Sequence, residues 1–286
     1  MNLYIAAPPI EIESDGALSP SVKIGMPHLS LTGLSENWLL KECGHRHWFL
    51  LAEAAGTSVP DFRDAVGDQA YAVFRAVAIR DAKFNEVIEN DDLHFTSKLS
   101  RISRTQFVSL HYLFCRGRKI GEIEMISSFV KRTIAGVNRS VARVELNAFP
   151  FVGEVASSAL AEVAGGFWNG SWIEHRGFGR SQSGDKSQLV VRPNPSLDFN
   201  GAGFLYFSSF QSLIDRAEWE TLDTSSSLTT ASREIFYYGN IEPGERVVIR
   251  IEALDRQGEG YSHWCTLRRE CDDAKLADVF TAREPV

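Results

Sequence analysis

Apolar positions first recur at helical spacing. Downstream of Gly33, residues Leu34, Trp38, Leu39 and Cys43 share one side of a helix; Ser35 can cap its start, and the pattern continues towards Ala55 before Gly56 stops it. The period then falls to two. Residues 71–79, 93–99, 106–114 and 119–130 are aromatic and β-branched strands, and Cys115-Arg-Gly-Arg118 joins the last two as a tight hairpin because Gly117 can take positive φ. Over 131–196 the pattern is least regular, with one short helix expected around 157–164. Both periods return afterwards: a helix is expected over 203–220 and strands at 232–238, 246–254, 261–269 and 276–281.

The chain therefore reads as one design given twice. Gly33 to Trp48 and Gly203 to Trp219 each run from a glycine through an apolar-rich helix to a tryptophan, and the segment starting at Ile88 is echoed by the one starting at Ile241. An α+β architecture follows, each sheet wrapping its own helix. It comprises an extended or poorly ordered arm (1–24), a first unit (25–148), a connection (149–186) and a second unit (187–286), with a pocket between the halves.

Composition narrows the function. At 286 residues, 44% hydrophobic and 23% charged, the chain suits two ordinary soluble units, and a net charge of -7 argues against general nucleic-acid binding. Four scattered cysteines form no Cys-x-x-Cys pair, and His45 and His47, two apart on a helix, point to different faces, so no metal site is expected. The first twenty residues lack the pattern of a secretory signal, and no apolar run is long enough to span a bilayer. A cytoplasmic protein with reduced thiols, not bound to membrane and capable of forming a homodimer, is expected.

The helix-then-strands order resembles the hotdog fold. Asp198-Phe-Asn-Gly-Ala-Gly-Phe-Leu-Tyr206 is similar to the Asp-x-Asn-Gly start found in hotdog acyl-thioester enzymes. Together with 33–38, 111–114 and 121–125 it resembles the double-hotdog family of the leinamycin-pathway acyltransferase/decarboxylase, over about 25–281. The resemblance implies a double hotdog of polyketide-type biosynthesis. Such an enzyme decarboxylates a malonyl or methylmalonyl thioester and transfers the acyl group to an acyl carrier protein. Coenzyme A or phosphopantetheine enters only as part of the substrate, with no permanent cofactor, and acyl-CoA and the carrier protein are the implied partners. It further implies a tyrosine on the first strand after the first helix, which in this chain is Tyr71. The rivals are a hotdog thioesterase or dehydratase, and a non-catalytic protein that binds the carrier.

Decarboxylation of a malonyl thioester leaves an enolate, which needs hydrogen-bond donors and no base to begin. Backbone N–H groups at helix starts suit that role, so Gly33, Leu34 and Ser35 before one helix and Asn200, Gly201 and Gly203 before the other are candidate substrate-binding residues. Tyr71 and His45 are the candidate catalytic residues. Each has a plainer alternative: a strand tyrosine with its hydroxyl satisfied, a histidine at a helix end, an Asx turn at Asn200 and a cap at Ser35. Asp215 and Glu218 are expected on a solvated helix face, and Arg116, Arg118, Lys119, Lys131 and Arg132 as solvated charges or contacts for phosphate or an acidic carrier.

Overall fold

The computed structural model describes residues 18–150, 155–182, 187–222 and 227–286, and the backbone of 11–14. Its first unit holds helix α1 (Glu36–Ala54) and strands β1 (Gln69–Arg80), β2 (Asp92–Arg101), β3 (Gln106–Cys115) and β4 (Arg118–Arg132). A connection carrying α2 (Ala159–Trp168) leads to β5 (Gln188–Val191), α3 (Phe207–Thr221), β6 (Leu228–Tyr237), β7 (Val247–Gln257), β8 (Gly260–Arg269) and β9 (Lys275–Pro285). The expected strands are all present, and Arg116 and Gly117 form the β3–β4 turn with φ of 49° and 73°. Within the arm, Glu11–Ser14 and Ser21–Lys23 extend the sheet beside β2; residues 1–10 and 15–17 lie outside the described residues.

The two units share one sheet instead of building two. Its order is β2-β3-β4-β1-β6-β9-β8-β7-β5, antiparallel at every step. The halves join where Ala76, Val77, Ala78 and Ile79 of β1 pair with Phe236, Ile235, Glu234 and Arg233 of β6. Without this seam each unit would expose an edge strand. Both long helices lie against the same face and pack on one another, and Gly44 permits it: a Cβ there would stand 2.7 Å from the Phe207 ring. The main apolar core fills this space, with Leu39, Leu40 and Cys43 of α1 meeting Phe210, Leu213 and Ile214 of α3. On the opposite face α2 covers the seam, Phe167 stacking on Phe236 at 4.0 Å. This is a double hotdog.

The helix starts differ from expectation. Gly33 and Leu34 pair with Leu29 and Ser30 as a short β-ladder, and α1 begins at Glu36, where Ser35 Oγ accepts from Trp38 N. Likewise α3 begins at Phe207, not Gly203, because Asn200 closes a turn over 200–204 before the helix. None of the three glycines thus supplies a first-turn helical N–H.

The helix face expected to be solvated is partly buried. Glu218 is 3% exposed and accepts from Tyr261 Oη, His263 Nε2 and Arg283, while Arg233, 1% exposed, bridges Glu36 and Asp215. Burial pushes the Glu218 pKa up, but Arg283, His263 and Arg233 outweigh it and hold the carboxyl far below the usual carboxylate range. This network locks α1, α3 and the second half of the sheet together.

Candidate active site

The β1–β6 ladder stops at Ala76–Phe236, and β1 carries a bulge against β4 between Phe74 and Ala76. Beyond that point the halves diverge. Between them lies a slot of about 120 Å³ lined by Phe74, Arg75, Phe207, Tyr237 and Tyr238, adjoining a wider cleft of about 430 Å³ that reaches Tyr71, Pro60 and Gly201. The two spaces share Trp48, Ala72, Val73, Asn200, Phe204 and Tyr206 as walls. An apolar passage with few polar groups, set between the halves, has the form of a small-molecule site.

Three uncharged polar side-chain groups in it have no partner among the described residues. Asn200 Oδ1 accepts from Ala202 N at 3.1 Å and Phe204 N at 3.0 Å, which fixes the amide orientation and leaves Nδ2 as a free donor. The hydroxyls of Tyr71 and Tyr206 are the others. Burial raises the Tyr206 pKa to about 12, so this hydroxyl keeps its proton at neutral pH. Asn240, also in the wall, spends its amide on both sides of Leu205 and on Ile241 N.

Arg132 positions this region. Its guanidinium lies 5.3 Å from the Tyr71 ring and 3.9 Å from the Phe204 ring, bonded to Asn138 Oδ1 and to the carbonyl of Ala202. Asn138, 1% exposed, donates in turn to the carbonyls of Gly203 and Ile241, each at 2.7 Å. The strand that carries Tyr71 in its neighbour register is thereby tied to the loop that carries Asn200.

Of the residues singled out in the sequence, Tyr71, Asn200 and Gly201 share this cleft, and Gly203 lies beside it with its carbonyl on Asn138. Four lie elsewhere. Gly33, Leu34 and Ser35 sit before α1, and a Cβ on Gly33 would fall 2.2 Å from the Phe84 carbonyl oxygen, so the chain there packs directly on the backbone at Phe84 and Asn85. His45 is exposed, its ring 4.7 Å from Phe49. Instead His47 is buried, bonded to Ser109 and Ser127, and His111 is bonded to Ser97 and Ser109. Burial pushes the His47 pKa well down, and that of His111 to about 3. Arg116, Arg118, Lys119 and Lys131 all pair with carboxylates. Arg132, expected as a solvated charge or a contact for phosphate, is instead half-buried against Asn138, Ala202 and Phe204. Trp48, Tyr206 and Asn138 are not among the sequence candidates; Tyr206 closes the Asp-x-Asn segment, whereas Asn138 carries no signal in the irregular region.

No family model matches the chain, and no curated protein sequence matches it. Among solved structures it is similar to an acyl-ACP thioesterase from Bacteroides thetaiotaomicron, with a TM-score of 0.63, 11% identity and coverage of 92% of this chain and 96% of that one. It is also similar to the 12:0-ACP thioesterase from Umbellularia californica, with a TM-score of 0.65, 11% identity and coverage of 96% and 94%. At this identity the likeness establishes the fold along nearly the whole chain. No helix among the described residues is long and apolar enough to cross a membrane.

Proposed function

We propose that this protein processes an acyl thioester of coenzyme A or an acyl carrier protein, with hydrolysis as its reaction. The observation that carries this reading is the apolar passage at the seam, open beside an amide donor freed by its own turn, in a fold shared end to end with acyl-ACP thioesterases. The acyl chain lies among Phe74, Phe207 and Tyr237, and its thioester carbonyl faces Asn200 Nδ2. Water adds to the carbonyl carbon, the oxygen takes up negative charge against that donor, and the carbon–sulfur bond breaks to release the thiol and the free acid. Tyr71 supplies a second hydroxyl to the same region, steadied by Arg132.

A second reading, decarboxylation of a malonyl-type thioester with acyl transfer to a carrier protein, is favoured by one observation. Neither space is lined by a His, Asp, Glu, Lys or Cys among the described residues, and loss of CO₂ begins without a general base. The enolate oxygen would then meet Asn200, and a tyrosine hydroxyl would protonate the carbon.

The deciding experiment incubates the pure protein with hexanoyl- and methylmalonyl-coenzyme A, with and without a phosphopantetheinylated carrier protein, and follows every thioester by mass. Free hexanoic acid, lost in Tyr71→Phe together with Asn200→Ala, is the expected result. Propionyl on the carrier would install the second reading. Intact thioesters throughout would leave a binding protein and overturn both.

A further inference from the structure

Arg75 stands at the bulge of β1, in the wall of the narrow slot, and its charge is unmatched. Its guanidinium lies 4.9 Å from the Trp168 ring and its Nε is buried without a hydrogen-bond partner. No carboxylate pairs with it among the described residues. Among the described residues Arg46, Arg80, Arg233, Arg269 and Arg283, also withdrawn from solvent, each meet an Asp or Glu.

Arg75 stays protonated in this setting. Burial and the like charge of Arg143, on the edge strand Val141–Arg143, together lower its pKa to about 10, still well above neutrality. Arg143 has no carboxylate partner among the described residues either. Tyr238, beside Arg75 in the wall, donates to Asp278, and that carboxylate is already taken up by Trp264 and Lys275. A guanidinium in the wall of an apolar slot, with no carboxylate beside it, is stabilised by an anion bound there.

We infer that Arg75 forms a binding site for an anionic group of the ligand that occupies the slot. This rests on the acyl-thioester reading. The shared chemistry is an oxyanion, supplied by the phosphate of the pantetheine arm or by a carboxylate at the far end of the acyl chain. Arginine's planar fork suits both.

Calorimetric titration of the full chain with phosphopantetheine and with adipate separates the two sources. For the anion that binds, Arg75→Gln should weaken affinity about tenfold, the worth of one charge-assisted hydrogen bond, and the exposed Arg143→Gln, outside the slot lining, should weaken it less. Loss for phosphopantetheine alone assigns the phosphate; loss for adipate alone assigns the carboxylate. Equal affinity in wild type and both variants, or no binding of either anion to the wild type, overturns the site. Hexanoyl-N-acetylcysteamine, a thioester without an anion, should bind the wild type. If it fails to bind while phosphopantetheine binding still depends on Arg75, the acyl-thioester reading falls and the anion site stands.

Discussion

At the scale of a residue, Asn200 carries two roles on two atoms. Its Oδ1 shapes the loop before α3 and its Nδ2 faces the cleft. The roles separate chemically in Asn200→Asp, which keeps the acceptor for Ala202 N and Phe204 N but replaces the donor by a carboxylate oxygen. Folding should be undisturbed while an oxyanion meets repulsion in place of a hydrogen bond. Turnover of the thioester should fall by about 10²–10³, the usual cost of one such donor. Steady-state kinetics beside a thermal melt checks this, and unchanged kcat would remove Asn200 from the reaction. Tyr206 differs in kind: with its pKa near 12 it stays a donor across the working range and should contribute no limb to a pH–rate profile below about pH 10.

At the scale of elements, the short helical turn Phe84–Glu86 closes onto the segment that leads into α1. Gly33 is what lets it close, through a φ of 109° and the lack of a Cβ that would strike the Phe84 carbonyl. Gly33→Ala should therefore destabilise the fold by roughly 1–3 kcal/mol in chemical denaturation, with turnover per folded molecule unchanged because the open cleft is lined elsewhere. A loss of turnover at full stability would instead give Gly33 a part in the chemistry. Strands and helices were legible because their periods are local: the alternation in β1 and the spacing of Leu39 and Cys43 report faces directly. The exact starts of α1 and α3 were not, since Ser35 and Asn200 act through turns whose geometry only the neighbouring ladder fixes. Nor was the shared sheet, because β1 and β6 pair across more than 150 residues and periodicity does not identify partners. Tyr71 and Asn200 could be singled out from a motif and its place in the fold, while Arg132 and Asn138 matter through their bond to each other and through contacts with Ala202, Gly203 and Ile241, 65 to 103 residues away. Glu218 was misplaced for the same reason: beside Arg216 it reads as a surface charge, and the Arg283 that draws it inward comes from the last strand.

At the scale of the whole molecule, the connection is fastened to the seam by charge as well as by packing. Glu234 lies in β6 opposite Ala78 of β1, 5% exposed, and binds both His175 and Arg176 of the connection. Burial raises its pKa, but the hydrogen bonds from His175 and Arg176 prevail and bring it down to about 2. A carboxylate whose folded pKa is depressed stabilises the fold fully above its unfolded value near 4.5 and loses that contribution as pH falls towards 2. The shift corresponds to on the order of 3 kcal/mol, reduced in salt because Arg176 is half exposed. Denaturation free energy should accordingly decline from pH 5 to pH 2. In Glu234→Gln the protein should be weaker at pH 7 and its decline over that range shallower, since a neutral amide has no proton to gain. A variant as steep as the wild type would place the acid sensitivity in the Glu218 network instead, where Arg283, His263 and Arg233 hold a carboxyl down in the same sense but behind α3. The two alternatives also part in structure. Loss at Glu234 frees the connection from the outer face of the seam and should raise hydrogen exchange first around 174–179, whereas loss at Glu218 unlocks α3 from β8 and β9 and should melt the second unit as a whole.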